Sequence, residues 1–233
     1  MVAFAKQKGE IAMLLEVQNI NKKYKEGYYV LKDINLHIEA GEIVGLIGLN
    51  GAGKSTIMKI ISGVSTYQGG EIFFEGSKIK KISSMKRKQI ACLCASNNLY
   101  EEMTVAQNLD IFTKFYDASN LDKKTMISDL ELQKILKKKV EELSLGMQQR
   151  VALACSMVGK PKLVIMDEPT ASLDIDNKCR IIRFIQSHHS PETGILITSH
   201  DSSDIGELCE RVYILKTGEI VKELTNIRQI GGK

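Results

Sequence analysis

The 233-residue sequence has only three prolines, and it contains no internal repeat and no low-complexity segment. So few prolines argue against long linkers. No stretch approaches the ~20 consecutive apolar residues that a transmembrane helix needs. The most apolar segments, residues 43–49 and 163–166, have the length of β-strands. The first twelve residues carry charge and lack a long apolar core, which argues against a signal peptide.

The sequence contains five cysteines. The cysteines form no Cys-x-x-Cys pair, and no histidine stands at metal-ligand spacing from them. This pattern argues against a zinc site and is typical of reduced thiols in a cytosolic protein. The residues concerned are Cys92, Cys94, Cys155, Cys179 and Cys209.

The charges are nearly balanced, because the formal net charge is only +4. Lysine and arginine cluster locally at residues 78–88 and 137–139. We interpret such clusters as solvated faces, which is their usual role. The first cluster has an alternative interpretation, which is contact with an anionic membrane surface or with a protein partner.

The chain length fits one large domain, or a core with a lobe inserted into it. Strand-like patterns dominate residues 14–76, helical patterns dominate residues 77–143, and strands then alternate with helices. This alternation predicts a mainly parallel sheet. Within the helical zone, Thr104 is predicted to cap one helix, and a second helix is predicted around residues 126–136. The helical spacing of later apolar residues predicts another helix that begins at Ser144. We expect a flexible tail at residues 1–13 and a single α/β domain at residues 14–233, with a helical lobe inserted at about residues 77–146.

A glycine-rich segment follows the apolar run at residues 43–47. Residues 48–55 read G-L-N-G-A-G-K-S, which matches the phosphate-binding pattern G-x-x-x-x-G-K-[ST], and a helix is predicted from Lys54. Glycines let backbone N–H groups curl around a phosphate, and the helix N-terminus adds partial positive charge. We predict that Lys54 reaches the β- and γ-phosphates and that Ser55 offers its hydroxyl to Mg²⁺. The predicted nucleotide-binding residues of this segment are Gly48, Leu49, Asn50, Gly51, Ala52, Gly53, Lys54, Ser55 and Thr56.

A second apolar run, residues 163–166, ends in Asp167 and Glu168. A strand that ends in two acids places them at the carboxyl edge of a sheet, where ligands bind in open α/β folds. Neighbouring residues of a strand point in different directions, so the two carboxylates can take different roles. We predict that Asp167 belongs to the Mg²⁺ shell and that Glu168 polarises an attacking water. A solvated strand end is the less favoured alternative beside a phosphate-binding loop.

Three further segments follow in order. Residues 143–150 read L-S-L-G-M-Q-Q-R, residues 172–174 read S-L-D, and residues 198–201 read T-S-H-D after an apolar run. Together with the two motifs above, they resemble the ATPase subunits of the ATP-binding cassette (ABC) family, and the resemblance extends over residues 14–223. In this resemblance the three segments are the family's signature, its D-loop and its switch histidine, His200.

The resemblance implies a fold and an assembly. The fold is a P-loop NTPase of the α/β class, with a RecA-like core, an antiparallel β-lobe and an inserted helical lobe. Two ATPase domains dimerise head to tail and sandwich two ATP molecules. Each site takes its P-loop from one chain and its signature from the other, so that a helix N-terminus faces the γ-phosphate of the partner's ATP.

The resemblance also implies roles for residues. Glu168 and His200 are expected to be catalytic, with His200 contacting the γ-phosphate and holding the attacking water. Tyr24 matches the aromatic residue that stacks on adenine, although a strand-end tyrosine near Tyr28 and Tyr29 is the alternative. The expected metal ligands are Ser55 and Asp167. Further nucleotide contacts are expected from Ser144, Gly146, Met147 and Asp174.

The function that the resemblance implies is ATP hydrolysis coupled to transport through a separate integral membrane permease. The chain would then lie in the cytoplasm, on the inner face of the cell membrane. Export is favoured because the signature has Leu145 where many members have glycine and Met147 where many have glutamine. This form resembles the ATPases of bacterial peptide-antibiotic exporters and immunity transporters.

Two alternatives are kept. A soluble ABC ATPase that acts on DNA or ribosomes usually carries two cassettes or large insertions, which this chain lacks, so we expect no nucleic-acid partner. A P-loop kinase or GTPase is disfavoured by the signature and D-loop segments, and no N-K-x-D guanine-recognition segment is evident.

The family pattern fails at one place. Members usually have a glutamine between the core and the helical lobe, which helps to bind Mg²⁺ and the attacking water. Its place falls on Ala95, and alanine can neither coordinate a metal nor orient a water. Ser96 or Asn97 substitutes for it if the register shifts by one or two residues. We therefore expect weak Mg²⁺ binding and slow basal hydrolysis.

Overall fold

The computed structural model describes residues 13–24, 27–79, 88–93, 99–200, 202–225 and 227. Its strands are β1 (Met13–Lys23), β2 (Tyr29–Glu39), β3 (Ile43–Ile47), β4 (Gly69–Phe74), β5 (Ser77–Lys78), β6 (Ile90–Leu93), β7 (Leu163–Asp167), β8 (Gly194–Ser199), β9 (Arg211–Lys216) and β10 (Glu219–Thr225). Its α-helices are α1 (Lys54–Ile61), α2 (Val105–Phe115), α3 (Asn120–Asp129), α4 (Leu145–Met157), α5 (Ile175–His188) and α6 (Ser202–Leu208). Two short 3₁₀ turns, Gln133–Ile135 and Val140–Glu142, lie between α3 and α4.

The strands form two sheets. The first is antiparallel, with the order β2-β1-β4-β5, and the second has the order β10-β9-β3-β8-β7-β6. In the second sheet β10 pairs antiparallel with β9, and all other neighbours pair in parallel. The uninterrupted apolar runs of β3 and β7 fit this position, because strands inside a parallel sheet are covered on both faces. The predicted parallel core and antiparallel β-lobe are confirmed.

Two hydrophobic clusters lie on opposite faces of the larger sheet. Alternation along β3 sends Val44 and Leu46 into the cluster that also contains α1 and the antiparallel sheet. Ile43 belongs to the other cluster, which contains buried residues of α2, α4 and α5. Helices and sheet therefore cover both faces, and the carboxyl edge of β3, β7 and β8 is left to carry the loops that follow these strands.

The predicted helices are largely confirmed, with one correction. Thr104 caps α2 as predicted, and its hydroxyl accepts a hydrogen bond from the Gln107 amide. The helix predicted at residues 126–136 is wrong in its bounds, because α3 begins after Ser119 and ends at Asp129. Ser119 and Asp122 form a capping box that starts the helix early. Glu131, with a positive φ of 53°, lies just past its end.

The two predicted boundaries also need correction. Met13 is the first residue of β1, so it does not belong to a tail, and residues 1–12 lie outside the described residues. Within the range 77–146, β5 belongs to the antiparallel sheet and β6 to the larger sheet. The first described helix of this range is α2, because β5 and β6, which precede it, are hydrogen-bonded into the two sheets. The helical lobe as a separate unit stays a proposal. Among the described helices, none has the length and apolar character that would let it cross a membrane.

Candidate functional site

The loop between β3 and α1 requires glycine on two physical grounds. Gly51 and Gly53 have φ values of 81° and 113°, in a backbone region that residues other than glycine rarely adopt. A Cβ on Gly53 would also lie 2.7 Å from Leu31 Cδ2. Gly53 is the N-cap of α1 and no side chain caps this helix, so the loop presents backbone N–H groups at a helix N-terminus.

This loop is held by the hairpin at the far end of the chain. The Gly218 amide, in the β9–β10 turn, donates a hydrogen bond to the Ala52 carbonyl at 3.0 Å, and the Lys32 amide donates to the Gly218 carbonyl at 2.8 Å. A Cβ on Gly48 would lie 2.5 Å from the Leu215 carbonyl oxygen. The loop therefore packs directly on β9 and is fixed in shape by its neighbours.

The Lys54 ammonium lies inside the curve of the loop. Its side chain is only 6% exposed, and Nζ donates to the Gly48 carbonyl at 2.7 Å and to the Leu49 carbonyl at 3.4 Å. The same Nζ lies 3.8 Å from Glu168 Oε1. The structure thus brings the predicted phosphate-binding lysine and the predicted catalytic carboxylate to one place.

A cavity of about 350 Å³ opens in front of the loop. Eight of the nine residues that line it were predicted from the sequence as site residues, and the ninth, Val30 of β2, was not. Ser55 and Asp167 both line it, and a hydroxyl and a carboxylate are the hard oxygen donors that Mg²⁺ prefers, so the donor set fits that ion. The lining residues are Val30, Asn50, Gly51, Gly53, Lys54, Ser55, Thr56, Asp167 and Glu168.

The other predicted loop residues are placed differently. Gly48, Leu49 and Ala52 are all described, and none of them lines the cavity. Ala52 is buried, and its carbonyl is used in the contact with the β9–β10 turn. Leu49 is highly exposed, so its side chain faces away from the cavity wall.

The two acids stand at the end of β7, next to β8. Asp167 pairs in register with Thr198, and the Thr198 hydroxyl lies 2.6 Å from Asp167 Oδ1. Glu168 has a positive φ of 50°, an uncommon conformation for a residue other than glycine. Its amide donates to Thr198 Oγ1 at 2.9 Å and to the Thr198 carbonyl at 3.2 Å. Both acids line the same cavity, but their carboxylates contact different groups: Asp167 contacts the Thr198 hydroxyl, and Glu168 contacts Lys54 and His200.

The predicted switch histidine lies beside the predicted catalytic glutamate. His200 Nδ1 lies 3.1 Å from Glu168 Oε2. The imidazole is 62% exposed, whereas the Glu168 side chain is 27% exposed. An ionised carboxylate only accepts hydrogen bonds, so Nδ1 carries the proton when Glu168 is charged.

Tyr24 and the signature residues lie away from this cavity. Tyr24 follows the end of β1, is half-exposed, and is not among the lining residues. Ser144 is the N-cap of α4, and its hydroxyl accepts a hydrogen bond from the Met147 amide at 3.4 Å. The helix start predicted at Ser144 is confirmed. None of Ser144, Gly146 and Met147, all described, lines the cavity.

The start of α5, which follows the D-loop, lies against the signature within the same chain. Asp174 is the N-cap of α5, and its carboxylate accepts hydrogen bonds at 2.8 Å from both the backbone and the side-chain N–H groups of Asn177. These bonds lower the pKa of Asp174, and the bond from the Asn177 backbone has the largest effect. A Cβ on Gly146 would lie 2.7 Å from Asn177 Nδ2. Leu145 and Ile175 are exposed beside this contact.

Three residues near the site were not predicted from the sequence. Val30 lines the cavity from the antiparallel sheet, and Thr198 bonds to both acids. Gln149 of α4 donates from Nε2 to the Pro169 carbonyl at 3.0 Å, which ties the signature helix to the segment after Glu168. Thr198 and Gln149 lie within the switch and signature segments of the sequence, whereas Val30 lies in no motif.

The missing family glutamine and the metal ligands are limited by which residues the structure describes. Ala95, Ser96 and Asn97, where the family glutamine is missing, lie outside the described residues. Within the part of the chain that is described, no group of three or more histidine, cysteine, aspartate or glutamate side chains is arranged to hold a metal ion. A cation at this site would therefore depend on mixed ligands such as the Ser55 hydroxyl and the Asp167 carboxylate.

Comparison with known proteins gives consistent matches. Residues 31–171 match the family model described as ABC transporter. The lantibiotic transport ATP-binding protein SrtF of Streptococcus pyogenes is 33% identical over 210 residues, which cover 90% of this chain and 90% of SrtF. The methionine import ATP-binding protein MetN of Clostridioides difficile (strain 630) is 31% identical over 218 residues, which cover 90% of this chain and 68% of MetN. A solved dimeric ATP-binding cassette in a post-hydrolysis state, bound to ADP and phosphate, matches with a TM-score of 0.81 at 27% identity, over 91% of this chain and 98% of that one.

Proposed function

The chain belongs to the ABC transporter family, and from this premise we propose that it is an ATP-hydrolysing subunit that energises transport through a separate membrane permease. The observation that carries the proposal is the cavity at the carboxyl edge of the larger sheet. One loop supplies it with a buried lysine and with backbone N–H groups, and a neighbouring strand end supplies two acids. His200 contacts one of these acids. These are the groups that hydrolysis of a nucleoside triphosphate requires.

Each group has a chemical task in this proposal. Lys54 and the N–H groups of the loop bind the β- and γ-phosphates and stabilise the charge that develops on them. Ser55 and Asp167 would hold Mg²⁺, which would supply positive charge against the phosphates. Glu168 orients and polarises the attacking water, and His200 holds the water and the γ-phosphate in line with it.

The adenine and the partner chain contact other surfaces. We propose that Tyr24 stacks on the adenine, and that Val30 supports the nucleotide from the same sheet. A second ATPase domain would contribute its own Ser144, Gly146 and Met147 to the γ-phosphate. The dimeric state of the solved relative supports this arrangement, and so does the exposure of apolar side chains beside the signature and the D-loop.

The direction of transport and the location of the chain belong to the same proposal. Export is supported by the signature variant at Leu145 and Met147 and by the likeness to SrtF, a lantibiotic transport protein. MetN, an import protein, is similar over as much of the chain, so overall similarity does not decide the direction. A position in the cytoplasm, on the inner face of the cell membrane, follows from binding to a permease. Both named relatives are transport or import proteins by name, so the transport function is preferred to the soluble alternative.

The test has two arms. The purified chain is assayed for phosphate release from ATP with and without Mg²⁺, and Mg²⁺-dependent hydrolysis is expected. In parallel, the tagged chain is recovered from detergent-solubilised membranes of its source cells, and co-purification of a multi-span membrane protein is expected. A folded chain that does not bind ATP contradicts the enzymatic proposal. Recovery with nucleic acid or ribosomes, and without a membrane protein, contradicts the transport proposal.

A further inference from the structure

We propose that Thr198 is a positioning residue that sets both acids of the site, Asp167 for the cation and Glu168 for the water. This inference rests on the proposed function and adds a residue to which the motifs assign no role. Thr198 lies in β8 and pairs in register with Asp167 of β7. It has no exposed surface, so it does not meet the nucleotide itself and acts through its two neighbours.

The hydrogen bonds of the Thr198 hydroxyl have defined directions. The Glu168 amide is a donor only, so Oγ1 accepts from it at 2.9 Å. The hydroxyl proton then remains for Asp167, whose Oδ1 lies 2.6 Å from Oγ1. This short distance is typical of a hydroxyl that donates to an ionised carboxylate. One hydroxyl thus joins the Asp167 carboxylate to the Glu168 backbone amide, and it keeps Asp167 in the orientation that exposes it to the cavity.

The Glu168 backbone is also held by a second hydrogen bond to Thr198. Its φ of 50° is unfavourable for a residue with a side chain, and such conformations persist when the surroundings hold them in place. The amide of Glu168 donates to the carbonyl as well as to the hydroxyl of Thr198, at 3.2 Å and 2.9 Å. The hydroxyl and the carbonyl that accept from this amide therefore belong to a single residue. The turn that they hold directs the Glu168 side chain toward His200 and Lys54.

A role in packing alone is the alternative, and substitution can separate the two. Ile195, Leu196 and Ile197 of the same strand are buried and apolar, so packing alone would allow valine at position 198. Valine has nearly the shape of threonine but lacks the hydroxyl. If the bonds of the hydroxyl only satisfy its own hydrogen-bonding requirement, Thr198→Val leaves the site unchanged. If it positions the acids, the same substitution weakens cation binding and slows hydrolysis in a chain that stays folded.

The experiment compares Thr198→Val with Thr198→Ser, which keeps the hydroxyl. Thr193→Val is the matched control, since Thr193 is a buried threonine just before the opposite end of β8. The measurements are kcat and KM for ATP, thermal unfolding, and Mn²⁺ affinity by electron paramagnetic resonance in the presence of ATPγS. Loss of a hydrogen bond to a charged group predicts that Thr198→Val lowers kcat and Mn²⁺ affinity by roughly tenfold or more. We expect the KM for ATP to change little and serine to recover most of both losses.

The outcomes are distinct. Unchanged kcat and Mn²⁺ affinity in Thr198→Val overturn the inference, and so do equal losses in Thr193→Val or in Thr198→Ser. If the valine variant does not fold, Thr198→Ala removes the hydroxyl with less demand on packing and is read by the same criteria. A wild-type chain that binds ATPγS and Mn²⁺ but does not hydrolyse ATP contradicts the proposed function. The Mn²⁺ measurement still tests the inference in that case, because it needs no turnover.

Discussion

His200 Nδ1 lies 3.1 Å from Glu168 Oε2, although 32 residues separate the two in the chain. The other oxygen of this carboxylate lies 3.8 Å from Lys54 Nζ. Glu168 therefore stands between the group that is proposed to hold the water and the group that is proposed to bind phosphate. This arrangement ties the carboxylate to both tasks and makes its substitution the sharpest test of the site.

We expect Glu168→Gln to keep ATP binding but to lower hydrolysis by about a hundredfold or more, because an amide preserves the shape of the side chain but cannot accept a proton from water. The variant should also accumulate as an ATP-bound dimer, which size-exclusion chromatography detects as an earlier elution. Glu207→Gln, an exposed position on α6, is the control. Hydrolysis at the wild-type rate in the Glu168 variant would show that this carboxylate is not the base.

Lys54→Ala removes the ammonium group that lies inside the phosphate-binding loop. We expect the folded variant to lose ATP binding or to hydrolyse ATP on the order of a hundredfold more slowly, because a positioned charge that stabilises the transition state is gone. Isothermal titration with ATP and a phosphate-release assay measure the two effects. Lys59→Ala changes an exposed lysine of the same helix and should have no effect. Near-wild-type hydrolysis in a folded Lys54→Ala variant would refute the assignment of the loop.

Gly146→Ala tests the contact between the signature and Asn177 of α5. The new Cβ would lie 2.7 Å from Asn177 Nδ2, and Asn177 is bonded to the Asp174 carboxylate at 2.8 Å. We expect Asn177 to be displaced, and dimer formation with ATP and the hydrolysis rate to fall. The free energy of unfolding should change by no more than about 1 kcal/mol, because alanine is a better helix former than glycine.

Gly206→Ala is the matched control for this substitution, since no atom lies within 4 Å of the added Cβ in α6. Analytical ultracentrifugation with ATP measures the dimer, and differential scanning calorimetry measures stability. Equal dimer formation in Gly146→Ala and the wild type would mean that the Asn177 contact has no role in association.

Ala95→Gln restores the amide that the family pattern has at the junction before the helical segment. We expect the substitution to lower the Mg²⁺ concentration needed for hydrolysis or to raise the rate, because one oriented polar contact to a transition state contributes roughly a hundredfold in favourable cases. A Mg²⁺ titration of the steady-state rate measures both parameters. If neither parameter moves, the prediction of a poorly assembled site is wrong. Asn97→Ala then separates replacement by a neighbouring amide from a mechanical role of the loop.

Motifs that lie within a few consecutive residues were predictable from the sequence. The phosphate-binding loop was recognisable because its backbone needs glycine at positive φ, as at Gly51 and Gly53, and because the lysine follows directly at the helix start. The acids after β7 were recognisable because an apolar strand leads straight into them. In these cases the covalent chain itself supplies the spacing, so residue order determines the local geometry. The apolar pattern alone places the start of α3 too late, because the capping box at Ser119 begins the helix earlier.

Contacts between distant segments were decided by the tertiary structure. Thr198 reaches both acids because β8 lies between β3 and β7, and nothing in the residues around position 198 specifies that order of strands. Val30 lines the cavity only because the antiparallel sheet packs beside the phosphate-binding loop. Gln149 meets Pro169 because α4 packs near the end of β7. Each contact depends on strand order and on packing across the two hydrophobic clusters, which are properties of the whole chain and are not encoded in any short segment of it.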